Sequence, residues 1–144
     1  MTLKATIVPI TEGRDKGKRF KIGEVPAKKI ERWILRAVFG LGKSGVEIPP
    51  EVFQLGAAAV AYVIASKASQ IPSRLGLRLA DELMEYVEIV EPKVTRPLVD
   101  EDIEDVTTRL KLKSEVLKLT FGFFDFAASL SSGAPESGTE SSSQ

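Results

Sequence analysis

Pro26-Ala-Lys-Lys-Ile-Glu-Arg-Trp-Ile-Leu-Arg-Ala-Val-Phe-Gly-Leu-Gly42 is the stretch on which the fold class turns. Proline opens it, and the first turn of a helix is where a missing N–H costs nothing. Ile30, Trp33, Ile34, Ala37, Val38 and Leu41 then recur three and four positions apart and make one apolar stripe. Gly42 and Gly45, with Lys43 between them, supply a stop. A helix with a single apolar stripe must bury it, so the flanking sequence has to provide the other layers.

Upstream, Ala5 to Ile10 is β-prone, and Phe20, Ile22 and Val25 follow a polar, glycine-bearing turn at Thr11-Glu-Gly-Arg-Asp-Lys-Gly17. This pattern predicts an N-terminal hairpin. Downstream, Pro49-Pro50-Glu51 opens a second helix whose Val52–Ala65 portion is alanine-rich and apolar nearly all round. Such a helix is buried centrally or pressed against a partner. A third helix is expected from about Pro72 to Val87, with Leu75, Leu79, Leu83 and Tyr86 or Val87 on one face. Arg74, Arg78, Asp81, Glu82 and Glu85 lie on its other face.

Pro92 and Pro97 make Glu88–Val99 extended or irregular, with Ile89-Val90 available as a strand beside the hairpin. Asp100 is the expected cap of a fourth helix, with acids in its first turn to complement the dipole. Two stripes run along it: Ile103, Val106, Leu110, Leu117, Phe121 and Phe124, and then Leu112, Val116, Leu119, Phe123 and Phe126. The expected fold is α+β and mostly helical, an N-terminal β-hairpin followed by about four helices, in one domain over residues 1–130. Ser131–Gln144 holds six serines and no large apolar side chain. It cannot bury enough surface to offset ordering and is expected to be a disordered tail.

A chain of 144 residues fits one ordinary domain. It contains no cysteine and no histidine. That removes disulfides, thiolate nucleophiles, cysteine-based zinc sites and the side chain that titrates near neutral pH. The N-terminus has no signal-like apolar stretch. The longest apolar run, Leu55–Ala65, falls short of the roughly 20 residues a bilayer requires. The expectation is a cytoplasmic protein that engages no membrane. Formal net charge is zero, but eight cations lie between Arg14 and Arg32 and ten acids between Asp81 and Asp105. This asymmetry is to be satisfied within the fold, between copies, or by a charged partner.

Four motifs invite a chemical reading. Ala37-Val-Phe-Gly-Leu-Gly-Lys43-Ser44 approximates a phosphate loop, but that loop needs a strand before it and a helix after it. Here a helix precedes and Pro49-Pro50 follows, so a helix C-terminus is the better account. Asp100, Glu101, Asp102, Glu104 and Asp105 offer oxygen ligands without EF-hand spacing, and acids at a helix start need no metal. No catalytic residue, metal or cofactor is assigned. Arg14, Lys16, Lys18, Arg19 and Lys21 form the alternative, a nucleic-acid contact for a small regulatory protein. Phe20 is the only aromatic there, the chain is neutral overall, and nucleic acid is the less favoured partner. Phe121, Phe123, Phe124 and Phe126 cluster in six residues. They either close the core or dock a protein partner. Val52, Val60 and Ile64, on the alanine-rich helix, are the second candidate partner surface.

Several runs together carry a resemblance. They are Ile7-Val-Pro-Ile-Thr-Glu-Gly-Arg-Asp-Lys-Gly-Lys-Arg-Phe20, Lys29-Ile-Glu-Arg-Trp33, Ser44-Gly-Val-Glu-Ile-Pro49, Arg96-Pro-Leu-Val-Asp-Glu-Asp-Ile-Glu-Asp-Val106 and Thr108-Arg-Leu-Lys-Leu112. The chain resembles, over residues 7–126, the small tail-assembly chaperones encoded beside the tape-measure gene of long-tailed phages and prophages. The resemblance implies a non-enzymatic protein of the host cytoplasm. It would bind the helical tape-measure protein, keep it soluble, help recruit tail-tube protein, and be absent from the mature virion. Self-association is a further possibility for its apolar surfaces.

Overall fold

The hairpin forms as its alternation demands. A computed structural model of the chain describes residues 3–121. Strands β1 (Ala5–Pro9) and β2 (Arg19–Gly23) pair antiparallel, with Val8 opposite Phe20. Phe20 and Ile22 are fully buried while Arg19 and Lys21 face outward, so one face of the ribbon belongs to the core. β3 (Val87–Val90) adds to the far side of β2, setting Ile89 opposite Phe20 and Val87 opposite Ile22. The strand expected at Ile89-Val90 is therefore present and starts two residues earlier.

β4 (Thr95–Pro97) completes a four-stranded antiparallel sheet in the order β1-β2-β3-β4. Glu88–Val99, expected to be extended or irregular, is extended here; Pro97 is tolerated because a short edge strand accepts proline on its unpaired side. Arg96 pairs opposite Ile89, and its guanidinium reaches Asp102 at 2.9 Å and Glu91 at 3.0 Å. A charged residue on a short edge strand also discourages pairing with other chains.

Helix α1 (Ala27–Lys43) buries Ile34, Ala37 and Leu41 and half-buries Ile30, Trp33 and Val38. Gly42 lies inside the helix, so the stop is Gly45 alone, at φ +83°. The second expected helix is divided. α2 (Pro50–Gln54) and α3 (Ala57–Ser66) are separated at Gly56, whose φ of +104° is a conformation other residues avoid.

The third helix is shorter than expected. α4 (Ser73–Leu83) passes into a 3-10 turn, Met84–Tyr86, because Val87 is already committed to pairing with Ile22. The fourth starts later. Asp100–Asp102 is one 3-10 turn and Ile103 is extended, with its half-buried side chain on the core. α5 (Val106–Thr120) is capped by Asp105, whose carboxylate accepts the Thr107 N–H at 3.0 Å. Among the described residues there are thus five α-helices, in an α+β, mostly helical fold.

α5 lies against β2, α1 packs on α3 and α4, and α4 packs on α5. Contact between α1 and α4 is close: a Cβ on Gly40 would lie 2.5 Å from the Leu75 side chain. The same two helices are joined by the Trp33 indole, which donates to the Leu79 carbonyl at 2.9 Å, and by the Arg36–Glu82 ion pair. No described helix is long and apolar enough to cross a membrane.

Candidate functional site

The hairpin loop turns its charge inward. Asp15 is fully buried, and its two carboxylate oxygens accept the backbone N–H groups of Glu104 and Asp105, each at 3.0 Å. Lys18 donates to Asp15 at 3.0 Å and to the Asp102 carbonyl at 2.8 Å, and lies 3.6 Å from Glu104. Burial alone would raise the Asp15 carboxyl pKa. The N–H of Glu104, the Lys18 ammonium, the Thr108 side chain and the N–H of Asp105 together outweigh it and hold the group down at about 2. Pairing with Asp15 in turn raises the Lys18 pKa against its own desolvation.

The cations considered for nucleic acid are therefore not a single free surface. The Arg14 backbone N–H lies 3.4 Å from an Asp105 oxygen, and its guanidinium 3.5 Å from the Glu104 carbonyl. Lys18 is committed to Asp15 and the start of α5, while Lys16, Arg19 and Lys21 stand exposed. Part of the charge asymmetry is thereby answered within the fold. Asp102, Glu104 and Asp105 meet this loop or Arg96, and no group of acids suited to a metal ion occurs among the described residues. Lys43 ends α1 and Ser44 is its C-cap, so the phosphate-loop-like run presents no helix N-terminus to a ligand.

Of the apolar candidates, Val60 and Ile64 are 3% and 4% exposed and belong to the core, and Val52 is half-buried against it. The helix turns these residues inward because they share the stripe that meets α1. What lies open is its neighbourhood. A groove of about 540 Å³ runs between α1 and the α2–α3 pair, with Ile30, Leu35, Phe53 and Ala57 on its walls and Val60 among its lining residues. Leu35 and Phe53 are exposed there, and Phe39, one turn beyond Leu35, and Leu55, at the α2–α3 junction, are 64% and 75% exposed. Large apolar side chains gathered this way mark an interaction surface.

A second groove, about 470 Å³, is bordered by α1, α3, α4 and α5, with Trp33, Ile71, Leu79, Leu110 and Leu117 among its lining residues. Lys113 is its one charged residue. Desolvation, with Arg109 nearby, lowers the Lys113 pKa against an opposing pull from Asp81. The two stripes read along the fourth helix do not part cleanly. Leu112, Val116 and, on the other stripe, Leu117 are buried, whereas Val106 and Leu110 are 68% and 62% exposed; Leu110 and Leu117 line the groove. Phe121 is buried at the end of α5. Phe123, Phe124, Phe126 and the serine-rich tail lie outside the described residues.

Sequence reading passed over Asp15, whose one local signal is its place between Gly13 and Gly17, both at positive φ. It also passed over both grooves, whose walls come from segments far apart in the chain. No family model, curated protein or solved structure matches the chain.

Proposed function

We propose that this protein is a non-enzymatic assembly chaperone of the long-tailed phage type, holding an apolar helical stretch of a tape-measure protein on its α1–α2–α3 face and aiding recruitment of tail-tube subunits. The supporting observation is an open groove lined by the exposed Leu35 and Phe53, with Phe39 on α1 and Leu55 after α2 exposed as well. An amphipathic helix docks in such a groove through side chains spaced three, four and seven positions apart. Lys28 and Glu31 also line this groove, giving it a charged border able to fix a helix's direction. The resemblance of residues 7–126 to tail-assembly chaperones supplies the identity of the client.

The nucleic-acid reading has less support, since Lys18 and Arg14 are turned onto the start of α5. The test is co-expression with the large helical protein encoded beside this one, followed by capture on this chain at moderate salt. Recovery of a soluble complex, with the large protein insoluble when expressed alone, is the expected result. Absence of a complex with this chain folded, or binding to random-sequence DNA that falls steeply with salt, counts against the proposal.

A further inference from the structure

A cavity of about 630 Å³ lies between the first half of α1 and the end of α4. Lys28, Lys29, Arg32 and Arg36 line it from α1, and Glu82 and Glu85 from α4 and the turn after it. Arg36 and Glu82 answer each other through two hydrogen bonds, Arg36 Nη1 donating to one carboxylate oxygen at 2.7 Å and Nη2 to the other. Lys28, Lys29 and Arg32 enter no ion pair or side-chain hydrogen bond among the described residues. The first turn of α1 carries no acid, so no charge at the helix start offsets them.

This surplus has a geometric cause. Gly40 meets Leu75 and Arg36 meets Glu82, so α1 and α4 run in opposite senses. Going from Arg36 toward the start of α1 therefore leads past Leu83, where α4 ends because the chain is turning into β3. Lys28, Arg32 and Arg36 form one row on α1, each about 6 Å from the next along the axis. Glu82 answers the last member of that row, and no residue of α4 pairs with the other two. A partner that continues the line of α4, with carboxylates one helical turn apart, repeats the Arg36–Glu82 arrangement at Arg32 and Lys28. Glu82 and Glu85 line the same cavity, and Glu88 lines the adjoining surface with Glu85 and Tyr86. These acids oppose a continuous phosphate backbone and favour separate carboxylates.

We infer that this cavity binds an acidic peptide segment of another protein, its carboxylates meeting Arg32 and Lys28 with Lys29 beside them, against a wall that includes Trp33 and Tyr86. The site is distinct from the groove assigned to a client, although Lys28 borders both. This inference does not rest on the chaperone reading, and its test contains no client.

The probe is an alanine-based helical peptide with glutamates four positions apart and an uncharged dye, titrated with the full chain at low salt and followed by fluorescence anisotropy. The same peptide with glutamine in place of glutamate is the control. Two variants are compared with wild type. One carries Lys29→Gln and Arg32→Gln, exposed residues that do not line the client groove. The other carries Lys16→Gln, Arg19→Gln and Lys21→Gln on the hairpin. The glutamate peptide should bind saturably, with the emission of Trp33, the single tryptophan, changing in step. The α1 variant should bind it roughly fivefold or more weakly with far-ultraviolet dichroism unchanged, and the hairpin variant as wild type does. No saturable binding, equal binding of the glutamine peptide, wild-type affinity in the α1 variant or equal loss in both variants would overturn the inference. Tighter binding of an oligothymidylate, lost in the same α1 variant, would also overturn it by assigning the cavity to nucleic acid.

Discussion

Asp15 accepts the backbone N–H of Asp105 at 3.0 Å across ninety positions of sequence. Its other oxygen takes the N–H of Glu104, so a loop side chain from the hairpin binds the backbone just ahead of α5. Asp105 caps the helix itself, and Asp15 secures the segment that carries the cap. Hairpin, sheet and last helix are fastened at one buried carboxylate.

Asp15→Asn keeps the shape but loses the charge, and it turns one amide group toward a backbone donor. Buried charged hydrogen bonds lost this way cost roughly 2 to 4 kcal/mol. Urea unfolding should show the midpoint falling with little change in slope. An unchanged midpoint would remove Asp15 from its structural role.

Stability should also fall in acid through this group. The folded carboxyl titrates at about 2 against a reference of 3.8, so its contribution is complete above the unfolded value. It is lost as pH falls from near 4 toward 2. Glu82 beside Arg36 and Asp102 beside Arg96 are shifted in the same direction. Urea midpoints at pH 6, 4 and 2.5 should decline for the wild type. The gap between wild type and Asp15→Asn should close at the acid end.

Gly56→Ala tests the division of the second helix. No atom lies within 4 Å of the added carbon, so only the backbone angle of +104° opposes it. The cost should be roughly 1 to 2 kcal/mol in thermal or urea unfolding. A neutral or stabilising result would mean that α2 and α3 can join as one helix.

The hairpin, α1 and the mainly helical character were legible because each rests on local periodicity, whereas β4 was not read. Phe20 and Ile22 alternate with Arg19 and Lys21, and Ile34, Ala37 and Leu41 keep helical spacing. Boundaries that depended on distant partners were not. Val87 belongs to a strand because Ile22 lies opposite it, and nothing local to Glu85-Tyr86-Val87 states that. Val60 and Ile64 were correctly seen as apolar, but which way the helix turns them depends on where α1 lies. Phe53 and Leu55 drew no notice because their exposure follows from the break at Gly56.

The central claim is that the α1–α2–α3 face holds an apolar helix, and Phe53 and Leu55 test it most directly. At 44% and 75% exposed, they can be changed to Ser and Asp with little effect on the fold. The measurement is the Kd of the large helical partner for wild type and for the Phe53→Ser, Leu55→Asp chain, by calorimetry. The account predicts at least a tenfold weakening, about 1.4 kcal/mol, with the unfolding midpoint retained. Equal affinity of the two chains, or no binding by either, would contradict it.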